Sequence, residues 1–194
     1  MNLREQILEE SLKLFSLKGF LSTSMNDILT ACQTSKGGFY NHFPSKEALF
    51  GEVVARARHN WRAKNLVGLE DEPSPVGKVI TLLLNYRDRY LKDTANLPGG
   101  CPFVMLAVEL ADQRPDYARE LNRGFRGLRN MIRRFLAEAH ARGELRAAVD
   151  TEAVAAMLFA GMLGASVMFG VDKSFERLEA TIESLIAYLE GLRI

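Results

Sequence analysis

Cysteine, histidine, tryptophan and proline are all scarce in this 194-residue chain, at two, three, one and six copies. Two cysteines, Cys32 and Cys101, cannot build a disulfide framework, and their scarcity fits a reducing cytoplasm. His42, His59 and His140 are scattered, so no metal-ligand cluster is expected. The chain has no glycine-rich phosphate loop, no G-x-G-x-x-G and no G-x-S-x-G. Nothing therefore points to a cofactor or a catalytic nucleophile, and no enzyme is expected. No stretch alternates polar and apolar residues for long, which removes the usual signal for strands. The net charge is only +1, which argues against a uniformly basic, non-specific nucleic-acid coat. The start, Met1-Asn2-Leu3-Arg4-Glu5, meets acidic residues before any apolar core, so no secretory leader is expected.

What is present is helical. Leu, Ala, Glu, Arg and Met dominate, and apolar residues recur at helical spacing. The pattern predicts an all-α chain of about nine helices: about 4–18, 24–31, 35–41, 45–64, 76–93, 102–112, 115–142, 150–170 and 174–192. Gly19, Pro44, Leu97-Pro98-Gly99-Gly100, Pro115 and Gly143 supply the breaks. The run Ala153 to Val171 is nearly uncharged and long enough for a bilayer. Its five Ala, three Gly and a Ser lower its hydrophobicity, so it reads as a buried helix and no membrane partner is expected.

The first third carries the charge signal. Residues 1–65 hold nine Lys/Arg against six Asp/Glu, whereas the rest is net −2. Three short helices crowd into this region, the last two joined by Ala31-Cys32-Gln33-Thr34. That is helix-turn-helix spacing, in which the second helix of the pair enters the major groove of DNA. The third helix, Ser35-Lys36-Gly37-Gly38-Phe39-Tyr40-Asn41-His42-Phe43, is a poor helix former. Its paired glycines cost roughly 2 kcal/mol against alanine. Small residues let a helix backbone approach base edges closely. Lys36, Tyr40, Asn41 and His42 can donate to phosphates or bases, while Phe39 and Phe43 hold the helix on its core. Ser45 and Lys46 open the next helix, an anion-favouring position.

With Ile7, Phe15, Gly19-Phe20, Thr23, Ile28, Ser35-Lys36-Gly37, Tyr40, His42-Phe43, Ser45-Lys46-Glu47 and Leu49 in this order, the chain resembles the TetR family of bacterial repressors. The resemblance implies a reading head at 1–47 and a helical effector-binding and dimerisation domain at 48–194. It implies phosphate contacts from Ser24 or Thr23, Tyr40, His42 and Lys46. It implies groove contacts from Ser35, Lys36, Gly37, Gly38 and Asn41. Two departures stand out. Gln33 occupies a turn position where the family usually has glycine, which calls for positive φ at a side-chain-bearing residue. Gly38 stands where Thr or Ser is common.

The last two helices carry more apolar surface than a domain this small can cover. Ala153, Ala156, Met157, Ala160, Gly161, Gly164 and Ala165 put small residues at helical spacing, and Leu178, Ile182, Leu185, Ile186 and Leu189 form a stripe. Pairing with a second copy through these two helices would cover both, and the resemblance implies the same homodimer. A dimer on double-stranded DNA calls for a roughly palindromic operator. The middle helices should enclose a small-molecule effector. Candidates to line its site are Tyr86, Tyr90, Cys101, Phe103, Met105, Leu106, Tyr117, Phe125, Leu128, Met131, Phe135, Met162 and Phe169. Arg119, Arg123, Arg126, Arg129, Arg133 and Arg134 read as a solvated face, with one arginine able to reach an anionic effector. Cys101 sits where a helix dipole lowers a thiol pKa, and Gly100-Cys101 is similar to a subset of the family with a sensing cysteine. Two readings stay open, a reactive thiol or a small buried hydrophobe.

Overall fold

The computed structural model describes residues 2–194. The described residues form helices α1 (Leu3–Lys18), α2 (Met25–Ala31), α3 (Lys36–Tyr40), α4 (Lys46–Asn65), α5 (Pro75–Asn85), α6 (Pro102–Leu110), α7 (Pro115–Ala141), α8 (Thr151–Asp172) and α9 (Phe175–Glu190). No strand occurs among them; Leu145 and Arg193 make one isolated bridge. Side-chain caps explain most starts. Asn2, Ser24, Ser35, Ser45, Ser74, Asp150 and Ser174 each accept a backbone N–H from the first turn of the helix that follows. Ser24 and Asp27 complete a reciprocal capping box.

The expected helix over 76–93 departs from a simple α-helix. It starts at Pro75, and after Asn85 it continues as a π-helical turn, Tyr86–Leu91. The wider turn brings Tyr86 and Tyr90 into stacking contact, with ring centroids 5.6 Å apart. The expected 102–112 helix ends at Leu110, two residues early.

The apolar residues form two clusters. One holds the first three helices on α4, with Phe15, Phe20, Ile28, Phe39, Phe43, Leu49 and Phe50 at its centre. It extends to Leu106 and Leu110 of α6 and Leu121 of α7. The other joins α5, α7, α8 and α9 through Val79, Leu83, Ile132, Leu136, Leu158, Met162, Phe169 and Ile182. Phe103 packs against both. α8 has the length and hydropathy of a membrane span, but Val154, Ala155, Leu158, Met162, Ala165 and Phe169 are buried inside the protein.

The apolar stripe of α9 points the other way from the expectation. Leu178, Ile182 and Leu189 are buried in their own protomer, and Gly161 of α8 lies against Leu185 so closely that a β-carbon would overlap it. The unused apolar surface is a different line: Ala160, Gly164, Val167, Met168 and Val171 on α8, with Ala180, Ala187 and Tyr188 on α9.

Candidate DNA-reading surface and effector cavity

The reading head is assembled from local rules. Cys32 ends α2, Gln33 takes φ +49°, and Thr34 leads to the Ser35 cap of α3. A side-chain-bearing residue thus adopts the left-handed conformation, at about 1–2 kcal/mol. Gln6 of α1 holds the turn by donating to the Cys32 carbonyl, 3.2 Å away. Cys32 itself is buried, and burial raises its thiol to about pKa 11.

On α3, Phe39 is buried and Phe43 just beyond it is buried too, their rings 5.8 Å apart. Lys36, Gly37, Tyr40, Asn41 and His42 are exposed. The two glycines differ. A β-carbon on Gly38 would overlap the Thr34 hydroxyl, so a side chain there requires Thr34 to move. A β-carbon on Gly37 would meet nothing closer than the Ser35 hydroxyl at 3.8 Å. No contact among the described residues requires Gly37 to be glycine.

Three residues expected to contact DNA are committed to the head itself. Thr23 is fully buried, and its hydroxyl donates 2.6 Å to the Gly19 carbonyl. It fastens the α1–α2 turn. Lys46 donates to the Thr23 carbonyl and lies 4.4 Å over the Phe20 ring; burial lowers its pKa. Its ammonium ties α4 to the turn instead of standing free. Ser35 is exposed, but its hydroxyl caps α3 at Gly38. Ser24 is exposed at the start of α2, its hydroxyl shared with Asp27. Asp27 accepts from the Ser24 backbone and from Lys18, which lowers its pKa to about 2.

The head is fixed to the body by several contacts. Glu109 of α6 accepts from the Phe20 and Leu21 amides, at 2.6 and 2.9 Å. Gly19, at φ +79°, leaves the space its carboxylate occupies. Elsewhere Gly99 lies directly on the Ser16 carbonyl of α1, with no room for a β-carbon. Lys173, after α8, donates 2.8 Å to the Pro98 carbonyl of the same loop. Tyr117 of α7 stacks on Phe50 of α4, centroids 4.4 Å apart.

Between α4, α6, α7 and α8 lies a cavity of about 460 Å³. Of the residues expected to line it, Tyr86, Cys101, Phe103, Phe125, Leu128 and Met131 do so. The others lie elsewhere. Tyr90, Met162 and Phe169 are buried in the body cluster and Phe135 packs on it. Leu106 belongs to the head cluster, Tyr117 packs there, and Met105 is exposed. Trp61, Leu66, Leu121 and Leu163 complete the wall with Arg58, Arg62 and Glu120, all missed by the sequence reading, and with Arg123 and Arg134, two of the α7 arginines read as a solvated face from which one could reach an anionic effector. Arg123 and Arg134 are eleven residues apart, about three helical turns, and so share one stripe of α7.

Cys101 immediately precedes α6 and lines the cavity, yet it is 6% exposed, and the Tyr90 hydroxyl donates to its sulfur at 3.6 Å. The expected dipole effect does not prevail. Burial raises the thiol pKa despite hydrogen bonds from Tyr90 and the α6 amides. Among the described residues no cluster could hold a metal ion.

Known proteins share this arrangement. Residues 7–53 match the family described as bacterial regulatory proteins, tetR family, and residues 76–185 match the tetracyclin repressor-like C-terminal domain. The chain is 30% identical to the HTH-type transcriptional repressor NemR of Escherichia coli K12, over 95% of this chain and 94% of that protein. It is 30% identical to a TetR transcriptional regulator from Chloroflexus aurantiacus J-10-FL, with a TM-score of 0.87 over 98% of this chain and 96% of that one. It is 25% identical to a cysteine mutant of the TetR-family regulator CifR, solved with 26-bp double-strand operator DNA; there the TM-score is 0.81 over 95% of each chain.

Proposed function

The chain belongs to the TetR family of bacterial regulatory proteins, and from that premise we propose that it is a cytoplasmic, homodimeric repressor released from a roughly palindromic operator by a small molecule. It is a DNA-binding transcriptional regulator and not an enzyme. The observation that carries the DNA contact is the exposed face of α3. Lys36, Gly37, Tyr40, Asn41 and His42 face outward while Phe39 and Phe43 anchor the helix. Lys36, Tyr40 and Asn41 meet bases and phosphates in the major groove, with Ser24 and His42 on the flanking backbone. Ser35 and Gly38 shape α3 from within.

We assign DNA reading to residues 1–47 and effector binding with dimerisation to residues 48–194. α4 serves both: it begins within the head at Lys46 and presents Arg58, Trp61 and Arg62 to the cavity. A ligand that fits the cavity better when α4 is tilted biases the protein toward a state whose heads no longer match successive major grooves. A coupling of about 1–3 kcal/mol is typical of such a device. The relative in Escherichia coli is named a repressor, which supports the sign of regulation.

The test is selection of bound duplexes from a random pool. Two half-sites with centres about one helical turn, roughly 10 bp, apart are expected. Lys36→Ala and Asn41→Ala should each weaken binding to the selected site. Retention without sequence preference would overturn the assignment.

A further inference from the structure

The cavity has an uneven charge. Four arginines reach its wall, Arg58 and Arg62 from α4 and Arg123 and Arg134 from α7, against one carboxylate, Glu120. Glu120 already serves two of them. It accepts from Arg58 at 2.6 Å and from Arg123 at 2.9 Å, and these partners hold its pKa below the ordinary value. Arg62 and Arg134 have no carboxylate partner among the described residues. Other arginines of the chain are matched, Arg56 with Glu5 and Glu9 and Arg142 with Glu138, and what sets Arg62 and Arg134 apart is that they are unmatched at a cavity wall. Behind the arginines the wall is apolar and aromatic, with Trp61, Tyr86, Phe103 and Phe125.

We propose that the effector is an amphiphilic acid, with one anionic head group held at the arginine mouth by Arg62 and Arg134 and an apolar body lying among the aromatic residues. The inference rests on the effector reading given above and adds the chemical class. A fork of guanidinium donors matches a carboxylate, phosphate or sulfonate, whereas a cationic ligand would meet four arginines against the single carboxylate of Glu120. The volume, about 460 Å³, lies in the range of small-molecule sites. The Arg58–Glu120 pair spans from α4 to α7 across the cavity wall. An incoming anion gives Arg58 a second partner in place of Glu120, which loosens α4 from α7 at the helix that carries the head.

Trp61 is the sole tryptophan and lines the cavity, so its fluorescence reports occupancy directly. The experiment titrates the full-length protein with three probes of equal chain length: octanoate, 1-octanol and octylammonium. Octanoate is expected to change Trp61 fluorescence saturably and at lower concentration than the alcohol. Its affinity should fall as salt rises, and the octylammonium cation should not compete. Arg62→Gln with Arg134→Gln should weaken octanoate by about tenfold and leave the alcohol unchanged. Both arginines are exposed, so the folded state is preserved, and circular dichroism checks it. Equal or tighter binding of the alcohol, no octanoate response at all, or an unaltered response in the double variant would each overturn the anion assignment. Release of operator DNA is measured separately. Octanoate binding without operator release keeps the ligand class and sinks the allosteric reading; release by the alcohol alone does the reverse.

Discussion

Gly37 and Gly38 are neighbours with different surroundings. A side chain on Gly38 would meet the Thr34 hydroxyl, whereas one on Gly37 would face open space. Alanine is the better helix former by up to about 1 kcal/mol, so Gly37→Ala should raise the melting temperature slightly. It should also lower operator affinity, because a methyl group now stands between the α3 backbone and the base edges. A gain in stability with unchanged operator affinity would refute the close-approach argument. Gly38→Ala should instead displace Thr34 and gain little stability. Helix propensity treats the two alike, and it is the turn packing that separates their surroundings. Cys101 shows the same limit. Its place at the start of α6 was legible, but its 6% exposure depends on α5 and α8, far along the chain. Because burial raises its pKa, the thiolate fraction at pH 7 falls about tenfold for each unit of rise. Iodoacetamide should therefore label Cys101 in the native protein far more slowly than in urea, with a rate that climbs as pH rises past the ordinary thiol range. Rapid labelling at pH 7 would mean that the loop over 97–100 opens readily.

At the scale of elements, caps and turns within about forty residues defined the head, and these are local features a sequence displays. Ser24, Ser35 and Ser45 cap the helices they were expected to open, and Gln33 takes the positive φ its position demanded. The cavity was only half legible. Its wall depends on how α4, α6, α7 and α8 cross, and an arginine on the polar side of an amphipathic helix resembles any solvated residue until a neighbouring helix faces it. The joint between α6 and the head was not legible at all, because Glu109 and Phe20 lie 89 positions apart. That joint is testable. Glu109→Gln keeps the shape but replaces a charged acceptor of two backbone amides with an amide that has a single acceptor oxygen. The loss should be about 1–2 kcal/mol of stability, with faster hydrogen exchange at the Phe20 and Leu21 amides than elsewhere in the head. Unchanged protection at both amides would show that Glu109 does not hold the head to the body.

At the scale of the whole molecule, the single protomer leaves a line of small and apolar residues uncovered on α8, a helix with the length and hydropathy of a membrane span. Only 39% of the most apolar stretch of α8 is buried. Val167, Met168 and Val171 are exposed there beside Gly164, and Tyr188 of α9 is 47% exposed. A second copy related by a two-fold axis would cover both helices with one self-complementary patch, and would set two reading heads at a fixed spacing. The spacing matters because a lone head grips only half an operator. Joining two heads makes the second contact intramolecular and can raise overall affinity by 10²–10⁴. Gly164 has open space around it within the protomer, so Gly164→Arg should leave the fold intact while placing a charge in the seam. Sedimentation should then report a monomer with a melting curve reduced mainly by the lost association. Operator affinity should drop by about two orders of magnitude or more, although every residue of α3 is untouched. A dimer of wild-type affinity after this substitution would place the pairing surface elsewhere on the molecule.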